Sequence, residues 1–371
     1  MEVRREDMEG GRRLMSLDAL RGFDMFWIIG GTAIVKTMAK GAHSEWMNTY
    51  ILPQLDHVPW EGFHFMDLIM PLFLFIVGTA MPFSFGKRLS HDDRKWRLYL
   101  HVVWRFVILF ILGMVVQGHL LDYDLSRLHI YCNTLQAIAA GYLIAAFVVL
   151  YMGVLGQIVA TGSLLLLFWG LMILIPVPGH GAGVLEPKAN LAIYIDKLVL
   201  GGYQDGTVYT WILSSMTFAT TVLLGCFAGQ LLRSDKRSMN KFFYLVLVGV
   251  GTLGLGYAWS RWFPIIKHIW TSSFVLYSGG MSLIFLALFY LVIDVWGFRL
   301  WAYGFVVIGM NAIAVYMATH LFNFRIIGDI FLNGAKGQLG DWYGFARAVA
   351  GFVAIWLILW WMYRKKSFVK I

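Results

Sequence analysis

Ten long apolar runs dominate the chain and leave few architectures open to it. They lie at 17–38, 63–86, 98–117, 132–151, 156–175, 209–232, 242–260, 272–293, 300–321 and 343–363. A helix needs roughly 20 apolar residues to cross a bilayer. The composition points the same way: 59% of the residues are hydrophobic, only 14% are charged, and the mean hydropathy is +0.68. A soluble chain of 371 residues would carry more charge on its surface. The expectation is an all-α, polytopic integral membrane protein with about ten transmembrane helices. No linker, repeat or low-complexity tract divides it, so a single transmembrane domain over 1–371 is expected. Its 16 Trp and 17 Tyr suit anchoring at two water–lipid interfaces.

An even number of spans puts both termini on one side, and the basic residues say which. One alternate set of segments holds Arg4, Arg5, Arg12 and Arg13; Lys87, Arg88, Arg94, Lys95 and Arg97; Arg233, Lys236, Arg237 and Lys241; Arg299; and Arg364, Lys365, Lys366 and Lys370. These are more than half of the 30 basic residues. The positive-inside rule then makes the N and C termini cytoplasmic and turns 39–62, 118–131, 176–208, 261–271 and 322–342 outward. The same bias accounts for the net charge of +9, so no nucleic acid partner is expected. The basic N-terminus leads into an uncleaved first helix, because only a weak small-residue site, Ala39-Lys40-Gly41, follows it. Loop 176–208 contains a helical piece, Asn190 to Leu200, and is short enough to serve as a lid. Cys132 and Cys226 lie in or beside apolar runs, where neither a disulfide nor a metal site is expected.

Polar groups inside spans are costly and usually have a use. The stretch 57–81, HVPWEGFHFMDLIMPLFLFIVGTAM, combines an outer His57, the turn residue Trp60 and Asp67 near the start of a span. Imidazole titrates near neutrality and suits proton abstraction or acyl carriage. At about 1.5 Å per residue a straight helix would put His57 and Asp67 roughly 15 Å apart. Either the turn at 59–62 folds back, or Asp67 acts through a second residue. In the first run Asp18 and Arg21 share a face, either as an ion pair locking the helix end or as an edge for an anionic ligand. Arg127 lies in an outer turn with Asp122, Asp124 and His129, and Asn133 and Gln136 share a face of the fourth run. Lys267, Trp270, Ser272 and Ser273 cluster before the eighth run, as an interface anchor with a hydroxyl cap or as part of a site. In the ninth run, Asn311 at mid-helix and the pair Tyr316 and His320, four apart, read as a cavity lining. Nucleotide-fold, metalloprotease and serine-hydrolase motifs are missing. The inventory suits acyl transfer without a metal.

Several stretches together resemble the heparan-α-glucosaminide N-acetyltransferase family, in a bacterial form, within a wider group of transmembrane acyltransferases. They are RLMSLDALRGFDMF (13–26), the 57–81 stretch, NTLQAIAAGY (133–142), YIDKLVLG (194–201), PIIKHIWTSSFVL (264–276) and GMNAIAVY (309–316). The resemblance implies transfer of acetyl from cytoplasmic acetyl-CoA to the amine of a glucosamine-type sugar or glycan end across the inner (cytoplasmic) membrane. It places the active-site histidine on His57 and its aspartate on Asp67, with further site groups at Asn311, Tyr316, Lys267, Ser272 and Ser273. Two stretches depart from the family pattern. Phe26-Trp27-Ile28-Ile29-Gly30-Gly31 lacks the helix 1 Asn that would partner the histidine, and Thr207-Val208-Tyr209-Thr210-Trp211 replaces a DPEG-like run. Asn48 or a residue of the ninth run is then the expected substitute partner.

The expected mechanism uses acetyl-CoA as a co-substrate and no permanently bound cofactor. Its phosphates would dock at the cytoplasmic basic rim, near the Asp18–Arg21 pair and Arg105. His57 acts as base or acetyl carrier, Asp67 orients it, and Asn311 or the Ser272–Ser273 hydroxyls hold the oxyanion. Trp60, Arg127, Gln136, Lys267, Trp270, Tyr316 and His320 complete the expected lining. A sugar or acid transporter, an O-acyltransferase acting on cell-surface glycans and a membrane scaffold remain as rivals, and a homodimer is compatible with the sequence.

Overall fold

The computed structural model describes residues 14–91 and 95–369, and their regular structure is helical. The basic residues Arg4, Arg5, Arg12, Arg13, Arg94 and Lys370 lie outside the described residues. Two isolated antiparallel bridges, Glu61 with Ile266 and Val177 with Gly181, are the β features among the described residues.

Among the described residues, eight helical stretches are long and apolar enough to cross a membrane, nine if one bent pair is a single span. Seven of them fall on α3 (Phe65–His91), α4 (Lys95–Val116), α5 (Thr134–Tyr151), α6 (Val154–Leu174), α8 (Ser215–Arg233), α9 (Ser238–Trp259) and α10 (Ser272–Phe289). The eighth, Arg325–Arg364, ends in α15 (Tyr343–Arg364) after the short helices α13 (Arg325–Leu332) and α14 (Lys336–Leu339).

The expected count of ten is corrected at two runs. The first is helical over 15–41 but divided into α1 (Met15–Phe26), a π-turn (Trp27–Gly31) and α2 (Thr32–Gly41), with Gly30 off helical geometry. The ninth splits into α11 (Tyr303–Gly309) and α12 (Ala312–Leu321), bent by 74°. Both breaks fall where an inward-facing wall is formed.

Two close crossings position that wall. A Cβ on Gly78 of α3 would lie 1.9 Å from the Val222 carbonyl oxygen of α8, and one on Gly225 would lie 1.9 Å from that of Phe75. The two backbones therefore touch, which only glycine permits, and membrane helices pack this way because burial from lipid gives little drive. Gly22 of α1 and Gly309 of α11 do the same, at 1.7 and 2.0 Å from the carbonyl oxygens of Phe305 and Asp18. Leu20, Leu68, Leu72 and Phe75 pack between these helices.

The loops before α3 and α10 gather at one end of the bundle. The start of α1 and the end of α10 meet at the other, where the Ser16 N–H donates to Asp294 (3.2 Å). Loop 176–208 contains α7 (Leu191–Leu200), close to the expected helical piece. Its buried face, Leu191, Ala192, Ile193 and Asp196, is built into a core with Phe168, Phe263 and Ile266. That packing makes α7 a fixed wall rather than a loose lid.

Candidate active site

The loop 56–64 doubles back on the start of α3. Gly62 sits at φ +121°, a conformation open to glycine, and its N–H donates to the Ile265 carbonyl (2.9 Å). The reversal brings His57 Nδ1 to 2.8 Å from Asp67 Oδ1. The roughly 15 Å of a straight path is thereby removed. Asp67 lies in the first turn of α3, where a carboxylate is favoured by the helix dipole and can accept unpaired N–H groups. Its Oδ2 accepts from the N–H of His64 (3.0 Å) and of Val58 (3.3 Å). The carboxylate thus fixes the loop and the imidazole together. It is fully buried, whereas the His57 side chain is 44% exposed.

The second loop supplies a cation. Thr271 accepts from the Ile266 N–H (3.1 Å), donates to the Pro264 carbonyl (2.8 Å) and caps α10 at Phe274. Ser273 also donates to Pro264 (2.9 Å). Together with the Glu61–Ile266 bridge, these bonds aim Lys267 at His57. Lys267 Nζ is 3.0 Å from His57 Nδ1, 3.5 Å from Nε2 and 3.4 Å from Asp67 Oδ1. Nδ1 cannot both donate to Asp67 and accept from an ammonium. The consistent assignment has Nδ1–H donating to Asp67, Lys267 ion-paired to the same carboxylate, and the Nε2 lone pair free for a substrate. Burial pulls the Lys267 ammonium down from 10.5 to about 8, against the opposing pull of Asp67.

Neighbouring groups hold this cluster from behind. The His268 ring lies between Trp60 (5.1 Å, stacked) and Tyr209 (4.5 Å). Burial, with Lys267 beside it, lowers His268 to about 4, so it is a neutral packing element at pH 7. Asp196 of α7 accepts from the backbone N–H groups of Trp211 (2.7 Å) and Ile212 (3.0 Å), fixing the segment that replaces the DPEG-like run. Burial raises Asp196 to about 6.

His57 and Lys267 open onto a cavity of about 510 Å³, within the usual range for small-molecule sites. Its walls include Trp27, Ile28 and Thr32 around the π-turn, together with Tyr209, Trp211, Tyr316 and His320. A second cavity of about 200 Å³ holds Arg21 and Arg105. Phe73 and Ile313 line both and form the partition between them. The Arg105 guanidinium lies over the Tyr142 ring at 4.4 Å, and its buried Nε meets no acceptor among the described residues. Arg21 lies 3.8 Å from Asp18.

The structure therefore gathers His57, Lys267, Tyr316 and His320 at the larger cavity, with Asp67 buried behind His57, and Arg21 and Arg105 at the smaller. Other expected site residues lie elsewhere. Asn311 was expected to face the reaction, but its Nδ2 donates to the Ser367 carbonyl (3.2 Å) and its Oδ1 accepts from the Val369 N–H (3.0 Å). A helix bent at 310–311 needs an outside partner for the chain that folds against it, and the amide serves that segment. Ser272 donates to the Leu165 carbonyl (2.7 Å), and Ser273 is committed to Pro264, so neither hydroxyl is on the cavity. Trp270, at φ +52°, is buried with its indole N–H on Thr221 (3.1 Å). Trp60 donates to the Leu185 carbonyl (3.1 Å). Gln136 closes a capping box with Asn133, and Arg127 pairs with Asp122 at 3.0 Å on the exposed turn. Asp18 stands behind Arg21 rather than on either cavity. Asn48 is exposed, and the residue that stands beside the His57 ring is Lys267, ion-paired to Asp67. Tyr209, Trp211 and Asp205 reach the larger cavity without having been singled out. For Tyr209 and Trp211 the signal was the replaced DPEG-like run itself, which lies against the site despite its altered residues.

A family model described as a domain of unknown function (DUF5009) matches residues 13–181, the part carrying His57, Asp67 and both arginines. Heparan-alpha-glucosaminide N-acetyltransferase of Homo sapiens is 25% identical over 419 residues, covering 97% of this chain. That of Mus musculus is 24% identical over 321 residues, covering 70%. The chain is homologous to heparan-alpha-glucosaminide N-acetyltransferase. Its likeness to the human acetyltransferase runs past residue 181 into the loop and helices that hold Lys267 and Tyr316. The chain spans 60% of the human acetyltransferase's length and 48% of the mouse one's.

Proposed function

We propose that the protein is a transmembrane acetyltransferase that moves an acetyl group from acetyl-CoA to the amine of a glucosamine-type sugar. What supports this is the His57–Asp67–Lys267 cluster on a cavity that adjoins, across Phe73 and Ile313, a second cavity bearing two arginines. The homology favours acetyl transfer over transport. In this reading the bundle end at the start of α1 faces the cytoplasm of a bacterial cell and His57 faces the far side of the inner membrane. Arg21 and Arg105 take phosphate oxygens of acetyl-CoA, for which guanidinium forks are suited. The pantetheine arm passes Phe73 and Ile313 and presents the thioester to His57.

The acceptor arrives largely as an ammonium and gives one proton to His57 Nε2, which passes it to water. The neutral amine attacks the thioester carbon, and His57 Nε2 takes one of its two protons. The Asp67 carboxylate keeps the imidazole in the tautomer with Nδ1–H inward. Lys267, with its charge beside the ring, stabilises the tetrahedral oxyanion, the role expected of Asn311 or the serines. The C–S bond then breaks, and the thiolate recovers a proton from His57. Direct transfer needs one conformation, whereas an acetyl-histidine route needs two.

The test gives purified protein acetyl-CoA with glucosamine, glucosaminides and muropeptide fragments, and measures free CoA and acetylated product. Release that depends on an acceptor amine supports the reading. No release with any acceptor, together with no acetyl-CoA binding, sinks it in favour of a transporter.

A further inference from the structure

The amine of Lys267 presents a second acyl acceptor inside the same site. Its side chain is 3% exposed, yet it lines the cavity proposed to receive the thioester. Nζ is 3.5 Å from His57 Nε2, the nitrogen with the free lone pair. A desolvated lysine beside a base is how amines are made nucleophilic in proteins. Surface lysines such as Lys197 lack both the burial and the base.

We infer that Lys267 is a self-acetylation site, modified by a bound acetyl thioester when the acceptor sugar is absent. The inference rests on the acetyltransferase reading for its acetyl source. The Lys267 ammonium gives a proton to His57 Nε2, which passes it to water. The free Nζ attacks the thioester carbon, an amide C–N bond forms and the C–S bond breaks. The second Nζ proton goes through His57 to the departing thiolate, so one thioester and one ammonium become one amide, one thiol and one released proton. Burial already holds the Lys267 amine near 8, so a useful fraction is neutral at working pH.

The product removes the positive charge that faces Asp67 and leaves that fully buried carboxylate without its lysine partner. An amide does not return its acetyl group to a sugar. Acetylation would therefore switch the site off, and an acceptor amine that outcompetes Nζ would protect it. The consequence is a dead end reached when donor is plentiful and acceptor scarce.

The test uses full-length protein in detergent and S-acetyl-N-acetylcysteamine, a small acetyl thioester without a nucleotide, alongside acetyl-CoA. Peptide mass spectrometry follows acetyl incorporation at Lys267 and at exposed Lys197. Lys267 is expected to be modified about tenfold faster than Lys197 by either thioester. Glucosamine should suppress the mark at Lys267 and not at Lys197. His57→Gln should slow labelling at Lys267 alone, with Lys197 and the elution volume on size exclusion reporting a folded protein. Equal or slower labelling at Lys267 in the native protein overturns the inference, as does labelling indifferent to His57→Gln. CoA release with glucosamine, measured on the same sample, reports on the acetyltransferase reading separately. Turnover without the mark defeats only the self-acetylation, and the small thioester marking Lys267 without any turnover defeats only the acetyltransferase reading.

Discussion

The two cavities on either side of Phe73 and Ile313 carry different charged groups. At the larger one, the carboxylate of Asp67 is met by Lys267 and His57 and by two backbone N–H groups, so its charges compensate locally. At the smaller one, two guanidiniums share about 200 Å³, with Arg105 resting on a tyrosine face and Arg21 beside Asp18. A compensated cluster holds a fixed geometry and suits bond-making. Guanidiniums that face a cavity suit an incoming anion, with which they form charge-assisted hydrogen bonds. In the proposed function the contrast separates chemistry from donor binding, and mutation can break it.

The largest effect belongs to the compensated cluster. His57→Ala should lower kcat by about 10²–10⁴-fold while acetyl-CoA still binds, as measured by turnover and by isothermal titration. A variant that keeps native kcat would remove His57 from the chemistry. Arg105→Ala should act on the other cavity, raising KM for acetyl-CoA by about tenfold with a much smaller change in kcat, which steady-state kinetics resolves. If both parameters fell together, the division of labour between the cavities would fail.

A smaller effect comes from pH. If the charged Lys267 stabilises the oxyanion, kcat should fall as pH rises through about 8. Stability moves the other way. The folded amine titrates at about 8 and the unfolded one at about 10.5, so between them the unfolded chain binds more protons and stability rises with pH. Opposite slopes of kcat and thermal midpoint over that interval are the signature, and parallel slopes would refute the role. Asp196 gives a contrasting acid-side term. Its folded value of about 6 lies above its unfolded one near 3.8, so its contribution to stability is lost as pH rises through that window.

The smallest catalytic effect is expected at Asn311. Asn311→Ala removes both bonds to the largely exposed 367–369 segment, costing on the order of 0.5–1.5 kcal/mol each in stability. Its kcat should stay within about threefold of native once folded protein is normalised. A kcat loss comparable to that of His57→Ala would return Asn311 to the reacting centre.

Much of this was legible before any coordinates. Asp67 announced itself as a carboxylate in an apolar run, and His57 as a base in a turn beside it, because both are costly or reactive where they stand. The cluster at 264–273 was visible for the same reason, but the roles inside it were not. Lys267 faces His57 while Ser272 and Ser273 turn away, a difference set by the left-handed backbone at Trp270 and the hydroxyl bonds to Pro264 and Leu165. Asn311 misled because an amide in a span reads alike whether it faces a substrate or a backbone. The bend that decides between these lies in packing, where Gly309 lets α11 touch α1.

The sequence by itself determined the class of molecule. Helical spans follow from hydrocarbon's intolerance of unpaired backbone groups, and that is a property of composition and run length. Tertiary structure alone decided the centre. Bringing His57, Asp67 and Lys267 within hydrogen-bond reach required a reversal at Gly62 and a bridge between loops some two hundred residues apart in the chain. Contacts at that separation are set by how helices seat against one another, and no local pattern of side chains encodes them.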